Sequence, residues 1–131
     1  MRPMRPAYRW IPALAMMGAI FFFSSLPASR IPFFGEWDLV VKKGGHVTGY
    51  AMLGVSYFYA LPPRLSTSYR ALTALLMAVT FAVSDEFHQF FVEGRTSSLR
   101  DVLIDALGST LALLGAVLYS SNSNSSRRSA S

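Results

Sequence analysis

The chain has 131 residues, 52% of them hydrophobic, and its mean hydropathy of +0.36 exceeds that of an ordinary soluble domain of one-domain length. With no cysteine, a disulfide framework, a thiolate zinc site and a thiol nucleophile are all excluded. The formal charge of +5 is spread between apolar runs rather than along one stripe, which argues for a membrane surface and against nucleic acid.

From Trp10 to Ser29 no residue carries a formal charge, and the run Trp10 to Phe23 with its flanks predicts a first membrane helix over 10–28. A cleaved signal peptide is the competing reading, because Arg2, Arg5 and Arg9 form a basic leader. Leu26-Pro27-Ala28 is a poor small-x-small cleavage site, so the membrane helix is preferred. A second helix is predicted over 45–61, where His46 is the only ionisable exception, and Pro62-Pro63 ends it. The third, over 71–92, reaches spanning length only by including Asp85 and Glu86. The fourth, over 101–119, carries Asp101 and Asp105 in its first two turns. Residues 120–131 are mostly serine and asparagine with Arg127 and Arg128, a composition that predicts a disordered tail. The reading is an all-α integral membrane bundle of about four helices over 1–119.

Arg2, Arg5, Arg9, Arg64, Arg70, Arg127 and Arg128 fall on one side of these helices, seven of the twelve basic residues. Arg30, Lys42, Lys43, Arg95 and Arg100 fall on the other, diluted by Glu36, Asp38 and Glu93. The positive-inside rule then makes both termini and the tail cytoplasmic. Tyr8, Trp10, Tyr59, Tyr69 and Tyr119 agree by clustering at the inner boundary.

This topology gathers every polar set at the outer end. Lys43, His46 and Tyr50 share one face of the second helix at i, i+3 and i+4 spacings. Gln89 of the third helix reaches either Asp85 at i, i+4 or Glu86 at i, i+3, and Asp101, Asp105 and Gly108 form a stripe on the fourth. At 1.5 Å per residue, Asp85 is expected roughly 10 Å from the end of its helix near Val92. A carboxylate in hydrocarbon costs about 2.5–3.5 kcal/mol, so these acids must be paired, neutral or hydrated, and a functional site is the default inference. The plainer reading is charge balance, with Asp85, Glu86, Asp101 and Asp105 against Lys42, Lys43, Arg95 and Arg100 as structural glue.

His46, beside Tyr50 and the acids, is a candidate proton donor or acceptor; His88 carries weaker signal. A hard divalent ion on Asp85, Glu86 and Asp105 is a lesser alternative, since no compact metal motif is present, and no cofactor is implied. Gly45, Gly49, Gly108, Ala112 and Ala116 have small-xxx-small spacing and predict close helix approach.

Taken in order, Phe23-Ser24-Ser25-Leu26-Pro27, Lys43-x-x-His46-x-x-x-Tyr50-x-x-Leu53-Gly54, Asp85-Glu86-x-x-Gln89, Gly94-Arg95, Asp101 and Asp105-x-x-Gly108 resemble the VanZ-like family. That family of small bacterial membrane proteins is named for a member associated with glycopeptide (teicoplanin) resistance. The resemblance implies a multi-pass protein of the bacterial envelope, in the inner membrane, whose polar residues matter functionally. One departure is visible: the family has an acid just before the lysine, where this chain has Lys42. Either Asp38 substitutes for that acid or the local pairing differs.

Three functions follow as expectations. In the first, the outer pocket binds or processes a membrane lipid or lipid-linked wall amphiphile. Lys43 and Arg95 hold an anionic headgroup, with Asp101 and Asp105 beside them, while Asp85, Glu86 and Gln89 orient it and His46 with Tyr50 handle protons. In the second, the cluster only locks the helices of an accessory protein. The third is a proton or ion pathway, which four helices could form only as a homo-oligomer. No serine or threonine nucleophile stands in a recognisable context, Ser84 beside Asp85 being the nearest.

Overall fold

The structure, a computed structural model, describes residues 5–130, so Arg2 lies outside the described residues. A 3₁₀ turn over Pro6–Trp10 leads into α1 (Ile11–Ser25), followed by α2 (Asp38–Ala60), α3 (Thr67–Gln89) and α4 (Leu99–Ser129), with no strand among the described residues. By length and composition three segments can cross a membrane: Pro6–Ser25, Thr67–Gln89 and Leu99–Ser129. α2, expected as another span, carries Asp38, Lys42, Lys43 and His46 in its first half and is not among them.

Local chemistry sets the helix ends. α1 stops short of residue 28 because Pro27 has no N–H and Leu26 before it is extended, at φ −73° and ψ 129°. α2 starts well before Gly45, and the Asp38–Lys42 ion pair at i, i+4 supports its added turns. Ser66 Oγ accepts from the Tyr69 N–H at 3.2 Å and starts α3, and Ser98 Oγ accepts from the Asp101 N–H at 3.2 Å and starts α4. α4 runs on to Ser129, which corrects the expected disordered tail. Extending an existing helix costs far less than nucleating one, and the added turns remain largely exposed.

α2 is the centre of the bundle and packs against the other three helices, whereas α1 meets α2 and α3 but not α4. Tyr50, Leu53, Tyr57 and Phe58 of α2 fill the core with Ala74, Ala78 and Ala82 of α3 and Leu113 and Ala116 of α4. The alanine stripe on α3 recurs every fourth residue and lets its neighbours come close. Contact between α2 and α4 is closer still: a Cβ on Gly108 would lie 2.8 Å from the Val47 carbonyl oxygen, and one on Gly54 3.3 Å from Ser109 Cβ. Ser109 Oγ donates to the Tyr50 carbonyl at 2.7 Å across the same seam. Gly45, expected to serve close packing, faces open space, and Gly49 has only ordinary contact with Ile20.

The outward faces are apolar. Phe21, Phe22 and Phe23 on α1, Leu72 and Leu76 on α3, and Leu103, Leu107, Leu111, Leu114 and Leu118 on α4 are all exposed. Apolar surface this continuous suits hydrocarbon rather than water.

Candidate functional site

Asp85 projects from the last turns of α3 into the bundle and is 3% exposed. Its Oδ2 accepts from Ser24 Oγ at 2.8 Å, from the Tyr50 hydroxyl at 3.3 Å and from Gln89 Nε2 at 3.3 Å. Gln89 Nε2 also donates to Ser24 Oγ at 3.2 Å, closing a polar knot that joins α1, α2 and α3. Because α3 ends at Gln89 rather than near Val92, Asp85 lies about 6 Å from the helix end, nearer than the 10 Å expected from sequence. Charge buried at that depth is stabilised by donors from three helices.

Glu86, one residue on, faces α4. Its Oε2 accepts from the Ser98 N–H at 3.1 Å, which puts a carboxylate at the N-terminus of α4, where the helix dipole favours negative charge. Ser97 Oγ donates to the Glu86 carbonyl at 2.8 Å and holds the connecting loop to α3. On the facing helices Lys43 is ion-paired with Asp101, and His46 Nδ1 lies 3.5 Å from Oδ2 of the fully buried Asp105. The His46 ring stacks over that of Tyr50 at a centroid distance of 6.4 Å. With Nδ1 turned to Asp105, Nε2 is the imidazole's other proton-handling atom.

Lys42 pairs with Asp38 at 2.8 Å, so Asp38 does supply an acid to the lysine pair, but to Lys42, while Lys43 takes Asp101.

Arg95 binds differently from expectation. Its Nε donates to the Leu26 carbonyl at 3.0 Å and its Nη2 to the Phe23 carbonyl at 2.6 Å, so it caps the C-terminal end of α1 from the α3–α4 loop. Burial pushes its guanidinium below the usual arginine value, while the charges of Asp85 and Glu86 pull it back up. Gly94 beside it has φ +73°, and a Cβ there would lie 2.9 Å from Ala28 Cβ, so both backbone conformation and space demand glycine. The Ala28 N–H donates to the Glu93 carbonyl at 3.1 Å and completes the junction.

These elements surround a pocket of about 260 Å³ at one end of the bundle, reached by Lys43, His46, Glu86, Gln89, Arg95, Asp101 and Asp105. Asp38, Lys42 and Thr96 also line it. Tyr50 and Asp85 do not, so the candidate cluster divides into an internal knot and a pocket, with Gln89 shared between them. Oδ1 of Asp85 and Oδ1 of Asp105 are buried with no protein donor, so each can accept one further hydrogen bond. Among the described residues no three histidine, aspartate or glutamate side chains converge as metal ligands. Sequence reasoning missed Ser24 as a site residue. Its only signal was its place in the Phe23-Ser24-Ser25 run at the end of an otherwise apolar helix.

The knot and the pocket both lie within residues 9–121, which the model of the VanZ/LLP1 family matches. The chain belongs to the VanZ/LLP1 family. This VanZ-like membrane protein matches no curated protein and no solved structure. The matched region covers α1, α2 and α3, α4 as far as Ser121, and every site residue named above.

Proposed function

We propose that this VanZ-like protein binds, at its polar pocket, the headgroup of a membrane lipid or lipid-linked cell-wall amphiphile. The observation that carries this reading is the pocket itself: charged and apolar residues share a space of about 260 Å³ at the edge of a bundle with an apolar exterior. Lys43 reaches the ligand as one half of its pair with Asp101, and Arg95 through the guanidinium N–H groups not bonded to α1. His46, oriented by Asp105, handles protons at the headgroup. In this arrangement α2 crosses the bilayer inside the other helices, both termini are cytoplasmic, and the pocket opens on the outer face of a bacterial inner membrane. Reporter fusions at each terminus test that orientation.

Glycopeptide resistance is part of the same proposal. Expression of the wild-type chain is expected to raise the teicoplanin concentration that a susceptible host survives, and His46→Gln with Glu86→Gln to abolish the rise at equal membrane abundance. An unchanged phenotype in the pocket variant would remove the pocket from that role.

The second reading, an accessory protein with a structural polar cluster, draws support from the Asp85 knot, in which Asp85 accepts from donors on three helices and does not itself line the pocket. It predicts that pocket variants lose folding and phenotype together.

A further inference from the structure

The end of the bundle opposite the pocket holds a second set of charged contacts. Arg9, just before α1, donates from Nε and Nη2 to the Tyr59 carbonyl at 3.1 and 2.6 Å, and from Nη2 to the Leu61 carbonyl at 3.1 Å. Arg70, in the first turn of α3, donates from Nε and Nη2 to the Phe58 carbonyl at 3.3 and 2.9 Å and lies 4.2 Å over the Phe58 ring. The two guanidiniums therefore grip neighbouring carbonyls at the C-terminal end of α2. Each keeps its Nη1 amino group, which has no protein acceptor among the described residues.

Among the described residues no acidic side chain balances this charge. All seven acids, namely Glu36, Asp38, Asp85, Glu86, Glu93, Asp101 and Asp105, lie at the pocket end or in its loops. The C-terminus of α2 offers about half a negative charge through its dipole, so two guanidiniums leave roughly 1.5 positive charges uncompensated, before Arg5 and Arg64 are added. Exposed Tyr8, Tyr59 and Tyr69 surround the cluster, as amphipathic rings do at the headgroup level of a bilayer. With the Nε–Nη2 edge of each guanidinium engaged by α2 carbonyls, the two Nη1 groups remain as charged N–H donors, which bond strongly to phosphate oxygens.

We propose that Arg9 and Arg70 form a seat for a phosphate group, the headgroup of an anionic phospholipid, at the C-terminal end of α2. The bound phosphate supplies the counter-charge that no described acidic side chain provides there, and through the two arginines it ties the start of α1 to the end of α2 and the start of α3. This site is separate from the pocket and independent of what the pocket binds.

The test is thermal unfolding of the purified protein in neutral micelles during titration with short-chain phosphatidylglycerol, phosphatidylcholine of equal chain length, or inorganic phosphate. Phosphatidylglycerol is expected to raise the midpoint and phosphatidylcholine not to. Arg9→Gln should weaken the apparent lipid affinity about tenfold, as loss of one charge-assisted contact predicts. Arg9→Gln with Arg70→Gln should abolish the response, whereas Arg30→Gln at the other end should keep it. A rise with inorganic phosphate as well means that the bare anion suffices, while a rise with phosphatidylglycerol alone assigns the site to lipid. An undiminished response in Arg9→Gln, which leaves the Arg70 cap intact and is checked for native helicity, overturns the proposal. So does an equal response of wild type to both lipids.

Discussion

Ser24 Oγ donates to Asp85 Oδ2 across 2.8 Å, and this bond joins the last turn of α1 to the last turns of α3 inside the bundle. It is the shortest of the three donors on that oxygen, and both residues are buried. Ser24→Ala is expected to cost about 1–3 kcal/mol, because a buried carboxylate loses a partner that water cannot replace. Tyr50→Phe, which removes a longer bond, should cost less. Unfolding in micelles measures both, and the double variant should depart from additivity by about 0.5–3 kcal/mol, since both side chains act on Asp85.

The seam between α2 and α4 makes a prediction about size rather than charge. Gly108→Ala sets a methyl group 2.8 Å from the Val47 carbonyl oxygen and should destabilise by about 1–3 kcal/mol through overpacking. Gly45→Ala meets open space within α2 and should be neutral or stabilise by about 0.4–1 kcal/mol. The pair of midpoints, measured side by side, distinguishes glycine kept for contact from glycine that merely lies on a helix.

At the junction of α1 with the α3–α4 loop, Arg95→Lys should behave as a non-conservative change. Lysine cannot reach the Phe23 and Leu26 carbonyls with a planar fork, and the loss is expected at about 1.5–3 kcal/mol. Faster amide exchange at the end of α1 than in wild type would register it, and unchanged exchange would show that the cap is dispensable.

Pocket variants should separate binding from folding. His46→Gln keeps a side chain of similar reach at a partly exposed position, so the unfolding midpoint should move little while ligand retention falls about tenfold or more. Asp105→Asn is buried and should affect both, because His46 loses the carboxylate that orients it.

Much of this molecule was legible in its sequence because hydrocarbon imposes simple rules. A charge-free run of spanning length located α1, apolar runs that reach spanning length only with their acids located α3 and α4, and those acids marked the polar end. What the sequence concealed depends on three-dimensional neighbours. Helical spacing alone cannot say which side of a helix meets a partner, so Gly54 entered only as part of a motif and Ser109 went unnoticed, while Gly45 seemed important. Periodicity placed Asp85 and Glu86 together, yet adjacent helical residues point about 100° apart, and one enters the knot while the other meets α4. Ser24 stood out only by its place in the Phe23-Ser24-Ser25 run, because its partner lies sixty-one residues away.

The most direct test of the account is native mass spectrometry of the protein extracted with its membrane lipids, comparing wild type, His46→Gln with Glu86→Gln, and Arg9→Gln with Arg70→Gln. An adduct kept by wild type and the arginine variant but absent from the pocket variant is the predicted result, whatever phospholipid the arginine seat holds in the pocket variant. The same adducts on the folded pocket variant as on wild type would contradict the claim that this VanZ-like pocket holds an envelope amphiphile.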